Sequence, residues 1–298
     1  MKTKIWGCIL GAVMFASALQ SCQTQVEIPD GAVYPILFGS TESRAVAGLD
    51  QIKSGGFKVY AYFEGNKGSS SFAKDVRFED SYWKYDNLEY WIPNTNYWFK
   101  AVYPGNAAVV DNNNNDQTLT IADYDIQSQT DVMVATATAS VAENATAPTS
   151  GSVVNLTFQH LLANVMIKIK SQIDGVTITS VKLGNLDNNS TYNGSTWVIS
   201  GNTTYIEYDT PTPLTKGADL VDVTGGGFLV IPANSNGKTL TIEANKTYNL
   251  TIPNGDWEIG KRYTYTIEIK QDDIVFVDGA PYVEEWDSEN ATGSVIIK

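Results

Sequence analysis

The residue types that carry most enzyme and metal chemistry are scarce in this chain. Its 298 residues include two cysteines, Cys8 and Cys22, and a single histidine, His160. A metal site built on two histidines is therefore excluded. His160 ends an alternating run, and we interpret it as a structural residue near a domain junction. Carboxylates are plentiful, but no pair is singled out as the acid and base of a glycosidase, so the sequence predicts neither an enzyme nor a cofactor.

Two loops have compositions that invite a comparison with ion-binding motifs. An EF-hand loop that starts at Asp111 needs glycine at position 116 and glutamate at position 122, where this chain has Asp116 and Ala122. The run Gly225-Gly-Gly227 is followed by a strand-like segment and lacks the Lys-Ser/Thr of a phosphate loop. Neither loop therefore predicts a metal or a phosphate site.

Cys22 is the residue whose surroundings best indicate a reaction. Lys2 and Lys4 precede an apolar run, Ile5 to Leu19, which is followed by small and polar residues. This is the plan of a secretory signal. A cysteine directly after the small residue is similar to a bacterial lipobox, so we expect residues 1–21 to be removed and the Cys22 thiol to be acylated. Two or three acyl chains give lasting membrane attachment. The alternative is an ordinary signal peptide that leaves Cys22 as a free thiol.

The formal net charge of −13 limits the class of partner. This charge disfavours nucleic acid as a partner, because phosphate binding needs the opposite sign of charge. Beyond the signal, no segment is long and apolar enough to predict a transmembrane helix.

The rest of the chain has the pattern of β-strands. Val165, Ile167 and Ile169 alternate with Met and Lys, and the run from Tyr263 to Ile269 alternates in the same way. One buried and one wet face predict antiparallel sheets packed as a sandwich. The segment Ala137 to Ser152 lacks this periodicity and is predicted to be irregular. Its position favours two domains, residues 45–160 and 161–298.

Aromatic residues are concentrated in one short span. They are Tyr82, Trp83, Tyr85, Tyr90, Trp91, Tyr97 and Trp98. Core packing is the favoured interpretation, because strands of sandwich proteins are rich in aromatics; a carbohydrate-binding surface is the alternative.

Several short motifs occur in a recognisable order along the chain. They are Ser43-Arg44-Ala45, Phe57-Lys-Val-Tyr-Ala-Tyr62, Trp91-Ile-Pro93, Tyr97-Trp-Phe-Lys-Ala-Val-Tyr-Pro104, Leu156-Thr-Phe-Gln-His-Leu-Leu-Ala-Asn-Val165, Phe228-Leu-Val-Ile-Pro232, Trp257-Glu-Ile-Gly-Lys-Arg-Tyr263, Val283-Glu-Glu-Trp286 and Gly293-Ser-Val-Ile-Ile-Lys298. Together with the lipobox at Cys22, this order resembles the fimbrillin (Mfa-like) family, the subunits of type V pili on anaerobic Gram-negative gut and oral bacteria.

The resemblance implies a fold and a processing route. The fold would be all-β, with two tandem transthyretin-like β-sandwich domains. The protein would reach the outer membrane surface as a lipoprotein held through Cys22. An arginine-specific protease would then cut between Arg44 and Ala45 and remove the lipidated leader, residues 22–44. Arg44 is one of only three arginines in the chain, and a protease site would explain an arginine in a linker of small residues.

The resemblance also implies a mode of assembly with other pilin subunits. The removable first strand would comprise Val33, Tyr34, Pro35, Ile36, Leu37 and Phe38, and the donor strand of the next subunit would comprise Val295, Ile296 and Ile297. A sandwich that lacks a strand exposes unpaired backbone groups and an apolar slot, which is a template for strand addition. Donor and groove lie on different parts of the molecule, and such heterologous contacts give filaments. Pro35 has no N–H, so its position must need no hydrogen bond within the sheet.

One alternative function stays open at this level. The chain is also compatible with a surface-anchored lipoprotein that binds glycan or protein, never polymerises and keeps its acylated Cys22. The N-terminal residue on cells distinguishes the two, since cleavage leaves Ala45.

Overall fold

The computed structural model describes residues 34–42, 46–63, 70–111 and 119–286, and this part of the chain is nearly all β. The first half contains β1 (Leu37–Glu42), α1 (Val46–Gly55), β2 (Phe57–Phe63), β3 (Phe72–Glu79), β4 (Tyr82–Lys84), β5 (Thr95–Tyr103), β6 (Val109–Asp111), β7 (Leu119–Tyr124), a 3-10 turn (Ile126–Ser128), β8 (Met133–Val141) and β9 (Val153–His160). The second half contains β10 (Ala163–Ser171), β11 (Val176–Asn188), β12 (Ser190–Tyr192), β13 (Trp197–Val198), β14 (Asn202–Leu214), β15 (Val221–Asp222), β16 (Phe228–Val230), β17 (Thr239–Glu243), β18 (Thr247–Thr251), β19 (Lys261–Ile269), β20 (Ile274–Phe276) and β21 (Tyr282–Glu285).

The first half forms a seven-stranded sheet in the order β1-β9-β8-β5-β2-β3-β4. Every neighbouring pair in it is antiparallel except β1 and β9, which run parallel. A core made only of residues between positions 36 and 158 fills the inside of this sheet. Ile36 and Phe38, just before and within β1, contribute to this core.

The second half contains two further sheets, with strand orders β15-β10-β19-β20 and β14-β11-β17-β18. The predicted alternation is confirmed here, because Val165, Ile167 and Ile169 of β10 are fully buried while the residues between them are half-buried. The prediction of antiparallel sheets is wrong for β10 and β19, which pair in parallel, because alternation of polarity carries no information about strand direction.

The two halves also share structure. A small sheet in the order β13-β12-β7-β6 joins β12 of the second half to β7 of the first. The larger hydrophobic core likewise combines second-half residues with Tyr60, Tyr62 and Val102 from the first-half sheet. The domain boundary at residue 160 stays a prediction. The two halves that it separates contact each other extensively.

Two of the sequence expectations are wrong in detail. The segment Ala137 to Ser152 was expected to be irregular, yet β8 extends to Val141 and pairs with β5 along its whole length. The residues after Arg44 were expected to form a linker, yet α1 begins at Val46. Ile52 of this helix is fully buried, and Gly56 ends the helix at φ +65° by donating its N–H to the Ile52 carbonyl at 2.8 Å.

The segments from Trp91 to Tyr97 and from Trp257 to Tyr263 form the same turn. In the first, Ile92 donates its backbone N–H to the Tyr97 hydroxyl at 2.7 Å. In the second, Glu258 donates its N–H to the Tyr263 hydroxyl at 2.8 Å. Each buried tyrosine therefore satisfies a backbone donor at the entry to a long strand.

Candidate functional site: the first strand and the edge it covers

The backbone of β1 lies at one end of the seven-stranded sheet. Leu37 to Glu42 pair in parallel with Val153 to Phe158 of β9. The pairing of β9 with β8 involves only its last two residues, Gln159 and His160. Within the described part of the chain, β1 is thus the only strand paired with Val153 to Phe158. Without β1, this stretch of β9 loses its ladder.

The segment just before β1 pairs with the stretch around Tyr90. Ile36 donates its N–H to the Glu89 carbonyl at 2.8 Å, and Trp91 donates its N–H to the Tyr34 carbonyl at 3.0 Å. Pro35 therefore lies opposite Tyr90 as an antiparallel pair of the type that is not hydrogen-bonded, because the backbone hydrogen bonds are made by the residues on either side. The expectation for Pro35 is confirmed, because the missing N–H falls where no hydrogen bond is needed.

The side chains of this first segment fill an apolar slot. Ile36 and Phe38 are almost completely buried. The Phe38 ring lies 5.4 Å from that of Tyr85 and 5.8 Å from that of Phe99, between ring centroids. Burial of side chains of this size stabilises by about 1.5–3 kcal/mol each. Burial of these two side chains therefore helps to hold the segment against the body of the protein.

Tyr85 forms the polar contact at the base of the slot. Its hydroxyl donates to the Ile36 carbonyl at 2.6 Å and accepts the Glu89 N–H at 3.2 Å. Burial raises the pKa of Tyr85 to about 12, so the hydroxyl stays protonated and able to donate at neutral pH. The Tyr85 hydroxyl therefore links Ile36 of the first segment to Glu89.

The observed strand is displaced relative to the one predicted. The ladder begins at Leu37 and continues to Glu42, whereas the prediction ran from Val33 to Phe38. Tyr34 to Ile36 contribute one antiparallel bridge instead.

The remaining predicted site residues lie outside the described residues. They are Cys22, Val33, Arg44, Ala45, Val295, Ile296 and Ile297. Lipidation, cleavage and strand donation stay predictions. The described chain ends at Trp286, directly after β21.

His160 occupies a position that sequence reasoning located but whose partners it missed. Its Nδ1 lies 2.5 Å from Oδ2 of Asp131, and both side chains are buried. The imidazole stacks on Trp286, with ring centroids 4.0 Å apart and planes inclined by 16°. The residue therefore connects the end of β9 to the end of the described chain, as expected of a structural histidine. Its distance from Asp131 and Trp286 in sequence left no local signal.

The aromatic span is divided between core and surface. Trp83, Tyr85, Trp91 and Tyr97 are buried in the first-half core, where Trp91 and Tyr97 lie edge to face at 4.8 Å. Tyr90 is about half exposed. Core packing is thus the main role of this span.

Two other classes of site were sought in the described residues. No group of three His, Cys, Asp or Glu side chains there is placed to hold a metal ion. In the same residues, no helix has the length and apolar character needed to cross a bilayer.

Comparison with solved structures gives the fold. A fimbrial protein from Bacteroides vulgatus ATCC 8482 aligns with a TM-score of 0.60 at 17% identity, over 85% of this chain and 99% of the other. A fimbrial assembly protein from Parabacteroides distasonis ATCC 8503 aligns with a TM-score of 0.50 at 12% identity, over 88% and 98%. At these identities the similarity is one of fold.

Comparison of the sequence gives the family. None of the curated proteins matches the chain. A family model described as fimbrillin-like matches residues 43–286, which is most of the chain and nearly all of its described part. The chain therefore belongs to the fimbrillin-like family.

Proposed function

We propose that this protein is a structural subunit of a cell-surface fimbria that supports adhesion. In this proposal it consists of two tandem transthyretin-like sandwiches and is exported to the outer membrane as a lipoprotein acylated at Cys22. Cleavage between Arg44 and Ala45 frees the leader with its first strand. The opened body then accepts Val295 to Ile297 of the next subunit. Family membership and the fimbrial proteins of similar fold support the fimbrial role.

One observation carries the proposal, namely that β1 is the only described strand paired with Val153 to Phe158. The strand lies N-terminal to Arg44, so a cut after Arg44 separates it covalently from the body. Loss of residues 34–42 would expose the edge of β9, the backbone of Glu89 and Trp91, and an apolar slot. Buried backbone groups are costly to leave unpaired, so the opened body favours any strand that can replace the lost one.

The experiment compares Arg44→Ala and Arg44→Lys with the natural chain on cells. Lysine keeps the charge but is not a substrate for an arginine-specific protease, so both variants should remain uncut. We expect the natural protein to begin at Ala45 and to form ladders of oligomers resistant to SDS. Both variants should remain monomeric with acylated Cys22 at the N-terminus. Oligomer ladders from the uncut variants would contradict the proposal, and a natural protein that keeps Cys22 would support the anchored binding lipoprotein instead.

A further inference from the structure

Two exposed apolar patches lie at the two places that a head-to-tail assembly would bring together. We define the acceptor patch as Leu88, Tyr90 and Ile92, and the arm patch as Val277 and Tyr282. These five side chains are between 42% and 67% exposed. We propose that the acceptor patch of one subunit docks against the arm patch of a second copy of this chain. The inference rests on the proposed function and adds a contact between folded bodies to the exchange of a strand.

The acceptor patch is placed by the pairing of the first segment. Leu88, Tyr90 and Ile92 are alternate residues of an extended stretch whose Trp91 is buried in the core. Because alternate residues of an extended chain share a face, the three apolar side chains point outward together. Tyr90 is also the residue opposite Pro35. The patch therefore borders the slot that the leader fills.

The arm patch lies at the root of the candidate donor arm. Tyr282 pairs with Thr264 on the outer edge of β19. Val277 donates its N–H to the Thr266 carbonyl at 2.9 Å, which places it two residues along the same edge. Trp286 then ends the described chain, so the patch is carried by the last strand before residues 287–298.

The length of the arm brings the two patches close together. If Val295 takes the place of the leader in the next subunit, residues 287–294 must span the gap. Eight residues reach at most about 26–29 Å when fully extended. The root of the arm, with its patch, must then lie within that distance of the acceptor slot. A second copy of this chain is the occupant that this connection delivers.

Local charge also favours contact at the acceptor patch. The whole chain carries a net charge of −13, so copies repel one another on average. Glu89, however, lies 2.7 Å from Lys74, and Asp86 lies 2.8 Å from Arg77. The acidic side chains that flank the patch are thus neutralised within the subunit.

The arm patch has the same arrangement. Glu284 pairs with Arg262 at 3.7 Å, and Glu285 pairs with Lys261. Two of the chain's three arginines therefore neutralise acids beside the two patches. Three side chains on one body and two on the other fall short of the roughly 1,000 Å² of a stable interface, so the patches accompany strand insertion and do not replace it.

The test uses the absence of cysteine after Cys22. Tyr90→Cys and Tyr282→Cys are made in separate full-length chains, cut after Arg44, mixed and treated with a short bis-maleimide. Val198→Cys, at an exposed apolar position in another sheet, replaces Tyr90→Cys in the control mixture. We expect covalent dimers from the first mixture and none from the control. Fibres that form without this crosslink overturn the inference but leave the proposed function intact. A natural, cut protein that forms no fibres overturns both.

A second measurement needs no introduced cysteine, so it remains valid if the thiols disturb the contact. Tyr90→Ser combined with Ile92→Ser should slow fibre growth about tenfold, since loss of two apolar contacts at a protein interface costs binding free energy. Leu220→Ser, at an exposed position in neither patch, should leave the rate unchanged. Equal growth rates for the double variant and the natural chain would overturn the inference.

Discussion

The first strands of the two halves occupy equivalent positions and differ in how they are held. β1 pairs in parallel with β9, and β10 pairs in parallel with β19. In both halves an antiparallel partner lies just before an Ile-Pro sequence. This partner is Tyr90 for the segment that precedes β1, and it is β16 for β10.

The difference lies in the flanks of these pairs. β10 has β15 and β16 on one side and β19 on the other, while β19 has β20 and β21 on its far side. β1 has β9 on one side, the only bridge on the other side is made by Pro35 just before β1, and the matching stretch of β9 has no other described strand. The same position therefore gives a strand enclosed on both sides in one half and, in the proposed function, a detachable cover in the other.

The largest effect should come from a charge placed in each first strand. Ile167 of β10 and Ile36 before β1 are both fully buried. We expect Ile167→Asp to abolish cooperative folding, because an unpaired buried carboxylate costs more than about 4 kcal/mol. Ile36→Asp should leave the body folded, because the leader can detach and carry the charge into water. Thermal unfolding together with proteolysis of the leader distinguishes the two, with Ile167→Val and Ile36→Val as controls. Unfolding of the body by Ile36→Asp would remove the distinction between the strands.

A smaller effect should come from the loop that packs on β10. A methyl group on Gly227 would lie 2.4 Å from Oδ1 of the buried Asn164, whereas one on Gly226 would meet nothing within 4 Å. Both glycines have strongly positive φ values, +106° and +109°. Gly226→Ala should cost about 1–3 kcal/mol for backbone strain alone, and Gly227→Ala should cost a further 1–3 kcal/mol or so for overpacking. Denaturant unfolding measures both, and equal losses would show that the loop does not support β10.

A change of about 1 kcal/mol is expected from the contact between Tyr85 and the leader. Tyr85→Phe removes the hydrogen bond to the Ile36 carbonyl, so the leader should leave the cut protein several times faster. Tyr97→Phe is the matched control, because its hydroxyl accepts the Ile92 N–H and does not touch the leader. Release of a labelled leader after cleavage gives the rate. Identical rates for both variants would mean that Tyr85 contributes only to the stability of the body.

The smallest effect concerns salt. Residues 1–44 carry three basic and three acidic side chains, so the cut body keeps the full charge of −13. Screening reduces repulsion between like-charged subunits. Added salt should therefore speed fibre growth moderately, as light scattering would show. Fibre growth that weakens steadily with salt would indicate ion pairs between subunits.

The sequence predicted side-chain burial better than strand direction or partners. Alternation in β10 and the position of Pro35 were predicted because both depend on local chemistry. The parallel pairing of β1 with β9 joins residues more than 100 positions apart, and no local pattern encodes it.

β8 and α1 were missed because their sequences carry a weak local signal. The Ala and Ser residues of β8 have little intrinsic strand preference, and their conformation comes from pairing with β5. α1 has two glycines and no charged residue in its first turn, so its pattern was weak. Gly56 was the signal that could have shown its end.

Hydrogen exchange of the backbone amides before and after cleavage at Arg44 and removal of the leader tests the central claim most directly. We predict that the alternate amides of Val153 to Phe158 that point to β1 lose protection, since β1 is their described strand partner, while the amides of β19 that point to β10 stay protected. Addition of a peptide with the sequence of residues 293–298 should restore protection to β9. Amides of β9 that stay protected without the leader, or loss of protection across both halves, would contradict the view that β1 is a detachable cover on a stable body.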